Sequence, residues 1–210
     1  DIIDAGSSGR PLTINKLCTI ENIGITNGNP SAHGGGILVE QWVNAGTVTL
    51  RNLVISNNTA NGTRGGGIAI LGSNAVSVEN CQITNNTAGQ MGGGIDVIVK
   101  NNRNTSLSVT DCLIDNNSAG DNGGAMYCTG EYGKDNLLDI TVENSVMAFN
   151  ETDNNGGAAF YKGSNYTPGS SGYGAGTKHV KVSWKQLTAV DNNSTVASPQ
   201  TEGSKFYADP

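Results

Sequence analysis

The stretch Val76-Ser77-Val78-Glu79-Asn80-Cys81-Gln82-Ile83-Thr84-Asn85-Asn86, followed after a further five residues by Gly92-Gly93-Gly94-Ile95, decides the fold. Its apolar residues alternate, as in strands that bury one face, and it ends on residues that favour tight turns. The same order returns along the chain. Alternating stretches start near Cys18, Val48, Val76, Leu107, Ile140 and Val180, at steps of 30, 28, 31, 33 and about 40 residues. Each runs into an asparagine turn, and the first five continue into glycines. A period of this length marks a solenoid, in which a unit buries its apolar face only by stacking on its neighbours.

Aligned on the asparagines, four apolar positions coincide in each unit. Val48, Leu50, Leu53 and Ile55 match Val76, Val78, Cys81 and Ile83, then Leu107, Val109, Cys112 and Ile114, then Ile140, Val142, Ser145 and Met147. Spacings of two, three and two describe two short strands with a bend between them. A third strand follows the glycines, with Ile37 and Val39, Ile68 and Ile70, Ile95 and Val97, and Met126 and Cys128 pointing inward. The expected fold is all-β: a right-handed parallel β-helix of about six coils with three short strands per coil, a single domain over 1–210. Asn58, Asn86, Asn117 and Asn150 share a column, where stacked amides can hydrogen-bond from coil to coil as an asparagine ladder. The glycines at 34–36, 65–67, 92–94, 123–124 and 156–157 are expected to turn the chain with positive φ. Leucine-rich repeats are the competing solenoid, but their convex side needs leucines and a helix where this chain has glycine, serine and asparagine.

The composition is consistent with this and excludes several functions. A chain of 210 residues, 36% hydrophobic and 14% charged, suits a folded domain, and 30 glycines with 5% aromatics suit short strands and tight turns. A net charge of −6 and a pI near 4.8 supply no basic patch, which argues against nucleic acid and anionic membranes as partners. No apolar run is long enough to cross a bilayer, so no direct membrane insertion is expected of this fragment. Asp1-Ile2-Ile3-Asp4 reads as a strand and residues 205–210 as a coil cut short, so the chain is expected to belong to a longer solenoid. Cys81 and Cys112 share a column, but parallel neighbours place their β-carbons about 4.8 Å apart, wider than a disulfide prefers. Four buried thiols acting as small hydrophobes are expected.

The pattern apolar-x-x-Asn followed by Gly-Gly-Ala/Gly-apolar stands in Ile83-Thr84-Asn85-Asn86 with Gly92-Gly93-Gly94-Ile95, and in Ile114-Asp115-Asn116-Asn117 with Gly123-Gly124-Ala125-Met126. It resembles the repeats of chlamydial polymorphic outer-membrane proteins and is similar to the pectate-lyase-like β-helices of large bacterial and archaeal surface proteins. The first position is Ile or Met here rather than the Phe usual in the chlamydial repeats, which favours the broader surface-protein group. The resemblance implies a right-handed β-helix exported to the cell surface, often an adhesin.

Two outer faces carry candidate residues. On the first strand, Thr19, Thr49, Ser77, Ser108 and Thr141 form a hydroxyl column beside Glu21, Arg51, Glu79, Thr110 and Glu143. Ice binding needs two threonine ranks, and the second rank is charged, so a solvated sheet with Arg51 bridging Glu21 and Glu79 is expected. On the glycine-led strand, Leu38, Ala69, Asp96, Tyr127 and Phe160 form one column, with Glu40, Leu71, Ile98, Thr129 and Lys162 next to it. Tyr127, Phe160, Trp42 and Tyr132 are the candidates to stack on sugars or to contact a protein. Covering of this strip by the insertions 99–106, 130–137 and 163–178 is the bland alternative and the favoured one. A polysaccharide lyase would need a base and a cation or arginine to neutralise a uronate, and Asp96, Lys100, Arg103, Glu131 and Lys134 come nearest to that set. Loop solubility is the bland reading of these residues and the favoured one, because no dense carboxylate cluster accompanies them.

Two histidines in unrelated loops, His33 and His179, and the lack of Cys-x-x-Cys spacing provide no zinc ligand set. Calcium is the one cofactor left open, on Asp115, Asp121 and Asp153, which otherwise read as turn residues. Sequons such as Asn57-Asn58-Thr59 and Asn85-Asn86-Thr87 arise from the repeat itself and indicate no compartment. The expectation is therefore a non-catalytic module, extracellular or on the cell surface, acting as adhesin or stalk with a polysaccharide or surface protein as partner. The alternative is a carbohydrate-active module that binds or cleaves acidic polysaccharide in the manner of pectate or alginate lyases.

Overall fold

The computed structural model describes residues 1–40, 46–72, 75–99, 104–130, 136–162, 178–194 and 206–209. Every regular element among them is a strand. The strands stack in parallel, in sheets of seven, six, five and seven, as a β-helix. One coil shows the plan: Thr47–Arg51, a bend, Val54–Ser56, an asparagine turn, the two-residue strand Thr59–Ala60, then the glycines and Ile68–Leu71. Three further coils repeat it within 75–99, 105–130 and 136–162, a fourth has the strands Lys178–Lys185, Thr188–Val190, Asn193–Ser194 and Phe206–Asp209, and the coil before Thr47, with Thr19–Glu21, Gly24–Thr26 and Ile37–Glu40, lacks the two-residue strand. Coils of four strands, five of them among the described residues, thus replace the expected six of three. The additional strand is two residues long, too short for alternation to reveal it.

Register follows the sequence columns. Val48 pairs with Val76, Val76 with Leu107 and Leu107 with Ile140. In the last coil Ile140 pairs with Val182, two residues beyond the expected Val180, because the preceding insertion obscures the period. The inward residues of all these strands form one continuous apolar core.

The turns show why asparagine comes in pairs. Asn57, Asn85 and Asn116 have φ of 56°, 55° and 53°, a left-handed conformation that asparagine tolerates better than most residues. The next residue of each pair, Asn58, Asn86 or Asn117, is fully buried and forms the ladder, which continues through Asn150 to Asn192. The amide of Asn86 donates to the Ile55 carbonyl at 2.9 Å and to Asn117 Oδ1 at 3.0 Å.

The glycine blocks divide two requirements. Only the first glycine has positive φ: Gly34 74°, Gly65 71°, Gly92 67°, Gly123 71° and Gly156 71°. Gly93, expected to share that conformation, does not. A Cβ there would lie 2.5 Å from the carbonyl oxygens of Gly124 and Ser118 in the next coil, so close approach excludes a side chain.

The cysteines also differ from expectation. All four are free, but Cys18 is only half-buried. Cys81 and Cys112 are more than fillers: the N–H of Leu53 donates to Cys81 Sγ at 3.4 Å, that of Cys81 to Cys112 Sγ at 3.4 Å, and that of Cys112 to Ser145 Oγ at 3.1 Å. This second ladder satisfies the backbone at the bend. The contact with Cys81, followed by burial, pushes the Cys112 thiol far up from the ordinary thiol range.

Candidate functional site

The glycine-led sheet has the expected outer columns, since Leu38 pairs with Ala69, Ala69 with Asp96, Asp96 with Tyr127 and Tyr127 with Phe160. From Leu38 to Tyr127 the first column is buried, as are Leu71 and Ile98 in the second. Leu38, Ala69, Leu71 and Ile98 form a second buried apolar cluster, Tyr127 is only 4% exposed, and Asp96 is fully buried. Asp96, among the candidate catalytic residues, and Tyr127, among the candidate ligand-binding residues, thus lie buried and not on an open face. The strip is covered, as apolar strips of this size usually are.

A buried carboxylate needs a partner, and Arg64 supplies it. From the position before Gly65, its Nη2 donates to Asp96 Oδ1 at 2.9 Å, and its guanidinium lies 4.7 Å from the centre of the Tyr127 ring. A planar guanidinium can serve both contacts, which a lysine would not. Burial pushes the Tyr127 phenol up to about 12, against the opposing charge of Arg64. Burial likewise pushes the Cys128 thiol well up. The cluster joins three successive coils and acts as a structural pin. Lys100, Arg103, Glu131, Lys134, Trp42 and Tyr132 lie outside the described residues, as does the side chain of Phe160. Arg64 escaped the sequence reading because its column also holds His33, Met91, Asn122 and Asn155, with no charge pattern to single it out.

The outside of the first-strand sheet is an open face. Its hydroxyl rank runs Thr19, Thr49, Ser77, Ser108, Thr141 and, by register, Ser183. A groove of about 510 Å3 follows this rank from Ser77 to Ser183, with Thr47, Ser106, Asp139, Lys181 and Lys185 also lining it. Short hydroxyls make its floor and longer flanking side chains its sides. Lys181 pairs with Asp139 at 3.2 Å and Lys185 with Glu143 at 3.5 Å. Arg51 pairs with Glu21, whereas Glu79 accepts a hydrogen bond from Ser77 Oγ at 2.6 Å. The expected double bridge is therefore a single ion pair. Of the aspartates read as turn residues, Asp121 Oδ1 accepts from Asn122 at 2.8 Å and Asn154 at 3.0 Å, while Asp115 closes the strand Leu113–Asp115 rather than lying in a turn.

No protein-family model, curated protein or solved structure matches this chain. The fold and the sites rest on the geometry alone.

Proposed function

We propose that this chain is a non-catalytic β-helix module of an extracellular or cell-surface protein, a stalk or adhesive unit that binds a polysaccharide or a surface protein. The observation that carries this reading is where the buried polar groups are committed: Asn58 to Asn192 along the ladder, Cys81 to Ser145 along the bend, and Asp96 to Arg64. All three join one coil to the next. The repeat's resemblance to surface-exported adhesins and pectate-lyase-like surface proteins supports the same reading, as an analogy of pattern.

The second reading, a polysaccharide-binding or cleaving module, draws on the hydroxyl-floored groove with Lys181 and Lys185 at one end. Incubation with polygalacturonate or alginate, followed by ultraviolet absorbance of unsaturated product, separates the two. The module reading predicts no product together with retention of the protein on a glycan array or on intact cells. Product formation overturns it.

A further inference from the structure

A third face, formed by the bend, the second strand and the asparagine turn, carries a charge pattern of its own. The segments 22–28, 52–61, 80–89, 111–120, 144–153 and 186–194 contain no lysine or arginine. Their acidic residues are Asp111, Asp115, Glu151, Asp153 and Asp191, all in the last three segments. The same three coils hold an outward apolar group. Val146 is 37% exposed, Phe149 55% and Val190 39%, and Leu113 is half-buried. They are contiguous: Val146 pairs with Leu113, and the N–H of Phe149 donates to the Val190 carbonyl at 3.1 Å.

Phe149 is the residue the fold does not explain. It has φ of 53° in the column otherwise filled by Asn27, Asn57, Asn85, Asn116 and Asp191. A bulky side chain in this conformation is strained, and exposure of the ring leaves that strain without an offset from core burial. Strain held at an exposed aromatic is evidence for a contact that uses it. Around it, Glu151 and Asp191 are exposed, while Asp115 accepts from Asn116 through Oδ2 and buries its Oδ1.

An apolar centre with an acidic rim and no basic residue complements a partner of opposite charge that also carries apolar side chains. We infer that this face docks a basic, apolar-bearing peptide segment of a partner protein. Its lysines or arginines meet Glu151 and Asp191, its apolar side chains meet Val146, Phe149 and Val190, and a cation can also stack on the Phe149 ring. The inference rests on the reading of the chain as a binding module and names the partner class for it. Acidic glycans and anionic lipid surfaces are repelled by the same charges.

A fluorescein-labelled peptide of alternating lysine and leucine tests this by fluorescence polarisation, with a glutamate–leucine peptide as control. The lysine peptide is expected to bind, more weakly as salt rises, and the control is not. Phe149→Asn restores the residue type of its column, so its urea midpoint should equal or exceed that of the parent while affinity falls about tenfold or more. Glu151→Gln with Asp191→Asn should flatten the salt dependence. No binding of the lysine peptide, equal binding by the Phe149→Asn variant, or equal binding of the control overturns the inference. So does Phe149-dependent binding of phosphatidylserine vesicles or of a glycan in its place. Polygalacturonate turnover would instead overturn the module reading, whatever the peptide result.

Discussion

Two neighbouring asparagines of identical chemistry perform different tasks, and substitution should separate them. Asn86 accepts from the N–H and Nδ2 of Asn58 at 3.1 and 3.0 Å and donates to Ile55 and Asn117, so both donors and both lone pairs are used. Asn86→Ala leaves those partners buried and unsatisfied, at about 1–3 kcal/mol each before relaxation, so a total loss of about 3 kcal/mol or more is expected in urea unfolding. Asn85 is exposed at φ 55° and serves the backbone, so Asn85→Gly should stay within about 0.5 kcal/mol of the parent. Equal damage from both would contradict this division. Tyr127 offers a pH test. Burial raises its phenol to about 12 from the model-peptide value near 10, so the folded state holds the proton more tightly than the unfolded chain does. Its contribution is complete below pH 10 and is lost as pH rises towards 12, a loss on the order of 2–3 kcal/mol. Cys112, Cys128 and Tyr161, also raised, weaken the fold in the alkaline range as well. Comparison of parent and Tyr127→Phe between pH 9 and 12, measured as urea midpoints, should therefore show a shallower alkaline decline in the variant.

At the scale of the element, the glycine block illustrates what local pattern conveys and what it omits. Three consecutive glycines announce a turn, yet only Gly92 needs a left-handed backbone, whereas Gly93 and Gly94 are constrained by the coil above them. Those contacts depend on stacking distance and leave no trace within the block itself. Gly93→Ala places a carbon against two backbone oxygens and should cost about 1–3 kcal/mol as overpacking. Gly94→Ala should cost less, because Ala125 and Ala158 already occupy its column, fully buried, in later coils. The reverse order in thermal or urea unfolding would show that φ, and not close approach, governs the second position. The same distinction explains which parts of the site were legible. Column membership could be read directly on the long strands as far as Glu143, because alternation has period two and the asparagines fix the phase. Asp96 was placed in the correct column but on the wrong side of the solvent boundary, since Arg64 and the apolar cover reach it from other coils. The groove was visible only as its hydroxyl floor, because Lys181 and Ser183 follow an insertion that masks the period.

At the scale of the whole molecule, each coil contacts chiefly the one before and the one after, so stability should follow a sum of coil and interface terms. Removal of one full period tests this without altering any repeated contact. Deleting 76–106, 31 of 210 residues, joins Ala75 to Leu107, which is the register partner of Val76. Asn58 then lies beneath Asn117, Gly66 beneath Gly124, and Leu53 beneath Cys112, so both ladders close again with residues of the same kind. The shortened chain is expected to keep a β-sheet circular dichroism spectrum and a cooperative urea transition. Its denaturant slope should fall by about 15%, in proportion to the surface removed. Deleting 76–90 instead removes about half a period and brings Gly92, Gly93 and Gly94 to the strand places of Ser77, Val78 and Glu79 against Thr49, Leu50 and Arg51, so it should abolish cooperative unfolding. If both deletions fold, or neither does, the vertical stacking of equivalent residues does not carry the stability. The proposed docking face would then lose its frame, since Leu113, Val146 and Val190 are brought together only by that stacking.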